Sequence, residues 1–190
     1  IQYQAGGTGT LSSNNILALL ADNNNNIWIG TDGSGICQFN REKQSFVTPF
    51  SSGYSIGNVI HTFYQDINNN LWIGTNKGLL LSENPKIEKG KIHVQDIALG
   101  NEALAVNAIF QAEGNNIWAG TRGSGLYKVL GDNGFSNPDI DHFQYNSMLP
   151  SSLSDDIVLC LFEDRMGLMW IGTNSGLNKF DPKKQSFRNI

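Results

Sequence analysis

No stretch of this 190-residue chain approaches the roughly 18 consecutive apolar residues that a membrane-spanning helix requires. Cysteine is scarce: Cys37 and Cys160 are the only two, far apart, each inside an apolar run and without CxxC or Cys/His spacing. That excludes both a dense disulfide framework and a thiolate metal cage, and both thiols are expected to be buried small hydrophobes. Positive charge is also in short supply, with 13 Lys and Arg against 17 Asp and Glu and a formal charge of -4. Such a surface cannot neutralise phosphate backbones or anionic lipid heads, so neither nucleic acid nor a membrane surface is an expected partner. The opening Ile1-Gln2-Tyr3-Gln4 is neither an initiator Met nor a signal sequence, which leads us to expect a chain cut from a larger protein.

What the sequence does contain is a repeat. Four segments share nearly the same words: Ile27-Trp28-Ile29-Gly30-Thr31, Leu71-Trp72-Ile73-Gly74-Thr75, Ile117-Trp118-Ala119-Gly120-Thr121 and Met169-Trp170-Ile171-Gly172-Thr173. The steps between the tryptophans are 44, 46 and 52 residues, a period that belongs to propellers or helical arrays. Long helical periodicity is missing. Short β-branched and aromatic runs alternate instead with Asn, Gly, Asp and Ser clusters, so each repeat reads as four strands. In the first repeat these are 16–21, 27–31, 35–39 and 45–50; the other first strands fall at 59–65, 106–112 and 157–163, and the last strands near 91–97, 140–145 and 186–190.

The first strand of each repeat is apolar on both parities, with Leu19, Phe63, Phe110 and Leu161 on one and Ala18, Thr62, Ile109 and Cys160 on the other. Coverage on both faces is expected, as for the inner strand of a propeller blade packed between two neighbours. Gly35, Gly78, Gly125 and Gly176 mark tight links from second to third strand, where glycine permits positive φ. Asp22, Asp66 and Asp164, with Glu113 in the matching place of the third repeat, are read as acceptors for backbone N–H groups of the following turn.

These residues resemble the two-component regulator propeller repeat, a strand ending in acidic residues, a polar turn, then [LI]-W-I-G-T-x-x-G-[LI]-x-x-[FY]. The fourth repeat is closest, from Phe162-Glu163-Asp164 through Met169-Trp170-Ile171-Gly172-Thr173 to Asp181; the third departs most, with Ala119 for Ile and no acid at Ala112. The resemblance implies an all-β chain of four four-stranded antiparallel propeller blades, about 14–50, 57–97, 104–145 and 155–190, taken from a seven-bladed ring. Residues 1–4 would be the outer strand of a preceding blade. It further implies the periplasmic sensor region of a hybrid two-component histidine kinase, recognising oligosaccharides as a homodimer, with no cofactor or metal. Four blades out of seven would expose two adhesive faces, so self-association of the chain is expected over closure into a small ring.

A residue present at one place in every blade serves what every blade shares, so Trp28, Trp72, Trp118 and Trp170 read as blade packing and not as sugar-stacking platforms. Ligand contacts are sought where the repeats disagree. The position after Gly-Thr holds Asp32, Asn76, Arg122 and Asn174, and the blade-to-blade links bring Tyr54, Met148 and residues 150–156 toward the same edge. Asp32, Tyr54, Asn76, Arg122 and Asn174 are therefore the candidate ligand-binding residues. A propeller enzyme of the streptogramin-lyase type would need a His and carboxylates converging on one face, and a protein-binding scaffold would use the same edge. Of His61, His93 and His142 only His61 lies on an inner strand; it is aligned with Leu17, Ala108 and Leu159 and expected to be a partly buried histidine with a hydrogen-bond partner. No catalytic residue is assigned.

Overall fold

The computed structural model describes residues 9–49, 57–100, 104–131 and 135–190, with the side chain of Glu113 also left outside. The expected outer strand at 1–4 and the candidate Tyr54 thus lie outside the described residues. The fold is all-β, four antiparallel four-stranded sheets of the propeller-blade kind. The chain divides into two units, Ile1–Ala98 and Leu99–Ile190, each holding two sheets. Among the described residues no helix is long and apolar enough to cross a membrane.

In the first unit, β1 (Ile16–Ala21), β2 (Ile27–Thr31), β3 (Ile36–Asn40) and β4 (Ser45–Val47) form one sheet. The second contains β5 (Ile60–Gln65), β6 (Leu71–Thr75), β7 (Leu79–Ser82) and β10 (Gln95–Ile97). Between β7 and β10 the chain inserts a small hairpin, β8 (Ile87–Glu88) and β9 (Lys91–Ile92), absent from the sequence-based reading. Its Ile92 enters the core between the sheets with Trp28, Ile36, Ile60, Phe63 and Leu71. Burying apolar area at about 25 cal/mol per Å2 is what holds such sheets face to face.

In the second unit, β11 (Val106–Gln111), β12 (Ile117–Thr121), β13 (Leu126–Val129) and β14 (Ile140–Phe143) pair in order, as do β15 (Val158–Glu163), β16 (Met169–Thr173), β17 (Gly176–Asp181) and β18 (Ser186–Asn189). A short 3-10 turn, Glu113–Asn115, joins β11 to β12. The core between these sheets is aromatic: Trp118 meets Phe180 at a centroid distance of 5.3 Å, and Phe180 meets Phe187 at 4.8 Å. Tilted and edge arrangements of this kind add to what area burial alone provides.

Gly30 and Gly120 have a role different from that of the turn glycines. A Cβ on Gly30 would lie 2.8 Å from Ile60 Cγ2, and one on Gly120 would collide with Val158. Each of these words needs glycine because the next sheet's first strand lies directly against it, whereas the turn glycines are needed for conformation, with φ of +70° at Gly35 and +75° at Gly125.

The structure corrects three expectations about the first strands. In every sheet the pairing of first and second strand shifts by one residue, at Leu17, His61, Asn107 and Leu159. Asn107, not Ala108, is therefore the counterpart of His61, and Ala108 faces Gly120 as Ala18 faces Gly30. Coverage is one-sided at β1 and β15: Leu19 is 68% exposed and Phe162 61% exposed. Within its unit β1 packs on β5 and β15 on β11, and each strand gains one covered face from that neighbour. For the same reason Cys160 is exposed, whereas Cys37 is buried beside Ile29 and Phe46.

Candidate functional site

The threonine of each repeated word closes the link into the third strand. Thr31 Oγ1 donates to Gly35 O (2.8 Å), Thr75 Oγ1 to Gly78 O (3.1 Å), Thr121 Oγ1 to Gly125 O (2.8 Å) and Thr173 Oγ1 to Gly176 O (3.0 Å). The next residue then ties the link to the segment leading into its own sheet. Asp32 N donates to Asn15 O (3.1 Å), Asn76 N to Val59 O (3.1 Å), Arg122 N to Ala105 O (2.9 Å) and Asn174 N to Ile157 O (3.0 Å). One backbone frame thus carries four different side chains.

In the first unit this frame presents Asp32 and Asn76. Asp32 is exposed and its Oδ2 accepts from Asn15 Nδ2 (2.8 Å); Asn76 is half-buried and its Oδ1 accepts from Val59 N (3.3 Å). The segment leading into the second sheet lies on the link of the first: Gly35 N donates to Asn58 O (2.8 Å) and Asn58 Nδ2 to Gly33 O (3.0 Å). Repeat comparison missed Asn58, because its function depends on the neighbouring sheet and not on its own repeat.

In the second unit the frame presents Arg122 and Asn174, both exposed. Gly123 N and Gly125 N donate to Asp156 O (3.1 and 2.8 Å), and Tyr145 N donates to Asp156 Oδ1 (2.7 Å). Beside Asn174, Ser175 Oγ donates to Asp155 Oδ2 (2.6 Å); that bond, and a second from Ile157 N, hold the Asp155 carboxyl below its usual range. Buried Asn178 anchors the lead-in by accepting from Ser154 N (2.8 Å). Of residues 150–156, Asp155 and Asp156 lie at this edge, whereas Ser151 O accepts from Phe187 N on β18; Met148 is exposed. The same unit has a cavity of about 570 Å3 between the exit of β14 and β18, lined by His142, Gln144, Tyr145, Asn146, Ser152 and Gln185. Amide and hydroxyl groups around a concave surface suit ligands rich in hydroxyls.

At the other end of the strands, the repeated tryptophans are structural. Trp28 Nε1 donates to Asp22 Oδ2 (2.8 Å), Trp72 Nε1 to Asp66 Oδ2 (2.9 Å) and Trp170 Nε1 to Asp164 Oδ2 (2.8 Å). The second oxygen of each Asp accepts two backbone N–H groups of the turn, as at Asn24 and Asn26 for Asp22. The turn role expected for these aspartates is correct but incomplete, since each also satisfies an indole. Trp28 and Trp118 pack under the next sheet of their unit, while Trp170 is half-buried with Lys179 Nζ 4.9 Å from its ring centroid.

The histidines do not form one group. His61 is half-buried on β5, His93 is exposed after β9, and His142 Nε2 bonds Ser124 O (2.7 Å) while its ring stacks on Tyr127 at 4.0 Å. Among the described residues no group of three or more His, Cys, Asp or Glu could hold a metal ion.

The sequence profile of the two component regulator propeller family matches residues 10–33, 54–77 and 152–175. Each match runs from a lead-in segment through the Trp word to the link that carries a candidate residue. The fold is similar to the extracellular domain assigned to a hybrid two component system, BT3049, of B. thetaiotaomicron: TM-score 0.72, 21% identity, 97% of this chain and 24% of that one. It is also similar to PorZ, a surface component of the type-IX secretion system of Porphyromonas gingivalis, with TM-score 0.70, 16% identity, 98% of this chain and 28% of that one. Virginiamycin B lyase from Staphylococcus aureus shares the fold at TM-score 0.66 and 12% identity over 92% of this chain and 55% of the lyase. The chain spans about a quarter of the length of the first two and about half of the third. A comparison with curated proteins finds no match. Three profile matches on one strand frame identify the repeat: at residues 10–33, 54–77 and 152–175 the chain carries two component regulator propeller repeats.

Proposed function

We propose that this chain is part of the extracytoplasmic, ligand-sensing region of a bacterial hybrid two component receptor, that it recognises oligosaccharides, and that it is not itself catalytic. The observation that carries this reading is the constant frame with variable contents: Asp32, Asn76, Arg122 and Asn174 hang from equivalent backbone hydrogen bonds and differ in charge and polarity. A fixed scaffold with interchangeable polar tips is how a repeat protein acquires selectivity without altering its fold. Sugar hydroxyls both donate and accept; for them the first unit offers a carboxylate and an amide, and the second a guanidinium and an amide. The similarity to an extracellular two component domain supports the location, here the periplasm, and the sensing role. In the intact receptor a ligand held at this edge would act by biasing a homodimer between two arrangements, because a ligand shifts an equilibrium only through its differential affinity for the two states.

Isothermal calorimetry of the chain against a panel of plant and host oligosaccharides tests this reading. Binding of at least one, weakened by Arg122→Ala or Asp32→Ala with the melting temperature unchanged, is expected. Absence of binding to every member would refute the glycan assignment, and hydrolysis or elimination of a bound sugar would refute the non-catalytic one.

A further inference from the structure

The third repeat lacks a group that the other three possess. By strand register Gln111 faces Ile117 as Ala21 faces Ile27, Gln65 faces Leu71 and Glu163 faces Met169. The next residue is Asp22, Asp66 or Asp164 in three sheets and Ala112 in the third. Much of the local frame survives without the acid: Ala112 N donates to Asn116 O (3.0 Å), as Asp22 N does to Asn26 O and Asp66 N to Asn70 O (both 3.0 Å). At this position the third repeat has a methyl group where the other three have a carboxylate.

Its complement is still in place. Trp118 is 3% exposed, and among the described residues no acceptor meets its Nε1, whereas the other three indoles each have an Asp oxygen within 2.9 Å. Lys128 Nζ stands 5.8 Å from the Trp118 centroid, in the register position that Lys179 takes over Trp170. In the fourth sheet, Trp170, Lys179 and Asp164 are therefore donor, cation and carboxylate; in the third sheet the first two remain. Where the carboxylate would lie there is a cavity of about 270 Å3, lined by Ala112, Asn116, Trp118 and Lys128, with Lys183 and Glu163 also on its wall. Lys128 is 3.7 Å from Asp141 Oδ2, on a side chain 47% exposed, a weak partial neutralisation in water. Trp118 borders this cavity, so an outside group that enters it can serve as the acceptor.

We infer that this cavity is a binding site for a carboxylate group from outside the blade, accepted by Trp118 Nε1 and faced by Lys128, in the place that Asp22, Asp66 and Asp164 fill in the other blades. The cavity has room for a small carboxylate or for the acidic end of a larger ligand. The site is at the opposite end of the strands from the edge discussed above, and it stands whether or not that edge binds sugar.

The test follows the four indole N–H signals of the full chain by two-dimensional 1H–15N NMR, with Trp118 assigned through Trp118→Phe. Sodium acetate, titrated at constant ionic strength against sodium chloride, is expected to move the Trp118 signal downfield and saturably while the signals of Trp28, Trp72 and Trp170 stay in place. Ala112→Asp is expected to bring the Trp118 signal to the shift of the other three and to abolish the acetate response. Should that variant not fold, Lys128→Met provides the second arm, with several-fold weaker acetate binding expected. The inference is overturned if acetate has no effect, if chloride reproduces it, or if the wild-type signal is already shifted and moves upfield in Glu113→Gln, which would put the acceptor within the chain.

Discussion

An indole N–H and two turn N–H groups converge on one carboxylate at Asp22, Asp66 and Asp164, and that clasp is the residue-scale unit of this fold. Asp66 is 2% exposed, so Asp66→Ala strands the Trp72 indole, the Asn70 amide and two backbone donors. With about 1–3 kcal/mol for each buried donor left unmade and partial relaxation, we expect a loss of roughly 3 kcal/mol in urea unfolding. A loss within experimental error would show that the clasp is incidental. Asp164 gives the pH dependence: its bond from Trp170 Nε1 is the largest of the influences that together hold its carboxyl below the ordinary 3.8. A lowered folded-state value means that this stability is fully present above the unfolded-state value and is lost as pH falls through the folded-state one. Asp164→Asn should therefore be less stable than wild type at neutral pH, and the gap should narrow in acid below about pH 4; a gap independent of pH would contradict the assignment. The thiols should also separate, because burial pushes Cys37 up from its ordinary value while Cys160 is exposed. One thiol per native chain should react quickly with a disulfide reagent, and Cys160→Ser should remove that phase.

At the scale of elements, the contact between consecutive sheets of one unit depends on a glycine in the second strand receiving a β-branched residue from the next first strand, Gly30 under Ile60 and Gly120 under Val158. Gly30→Ala would overpack this contact, at a cost of about 1–3 kcal/mol. Ile60→Ala removes the nearest atom, so the double variant should lose clearly less than the sum of the two single ones; simple additivity would rule out the contact as the cause. Strand positions were legible in the sequence because β-branched runs and turn clusters alternate cleanly, and β1 and β2 fall on 16–21 and 27–31 as read. The β8–β9 hairpin was not, since Ile87 to Ile92 is short and lysine-rich and becomes a strand pair only when Ile92 finds the core beside Trp28. The one-residue shift at His61 and Asn107 was misread for a related reason: apolar parity does not reveal a bulge, whereas pairing to β6 and β12 does.

At the scale of the whole molecule, each unit exposes apolar side chains on a first strand, Leu17 and Leu19 on β1 and Leu159 and Phe162 on β15. Contiguous exposed apolar surface favours association, so light scattering should give a mass above that of one chain, reduced toward the monomer by Leu19→Lys with Phe162→Lys. A clean monomer at high concentration would count against self-association. The sequence by itself determined that the chain is a four-fold repeat of four-stranded sheets, because a Trp-Ile-Gly-Thr word every 44 to 52 residues repeats the same strand, turn and packing requirements. It also placed four of the five candidate residues on one frame, since their register follows directly from those words. Only tertiary structure decided why Gly30 must be glycine, that Asn58 and Asp156 bind the preceding sheet's link, that Cys160 is open to solvent, and that Ala112 and the Trp118 indole line one cavity. Those properties arise between segments distant in sequence, where close packing and the pairing of buried polar groups, and not local propensity, set what each residue can do.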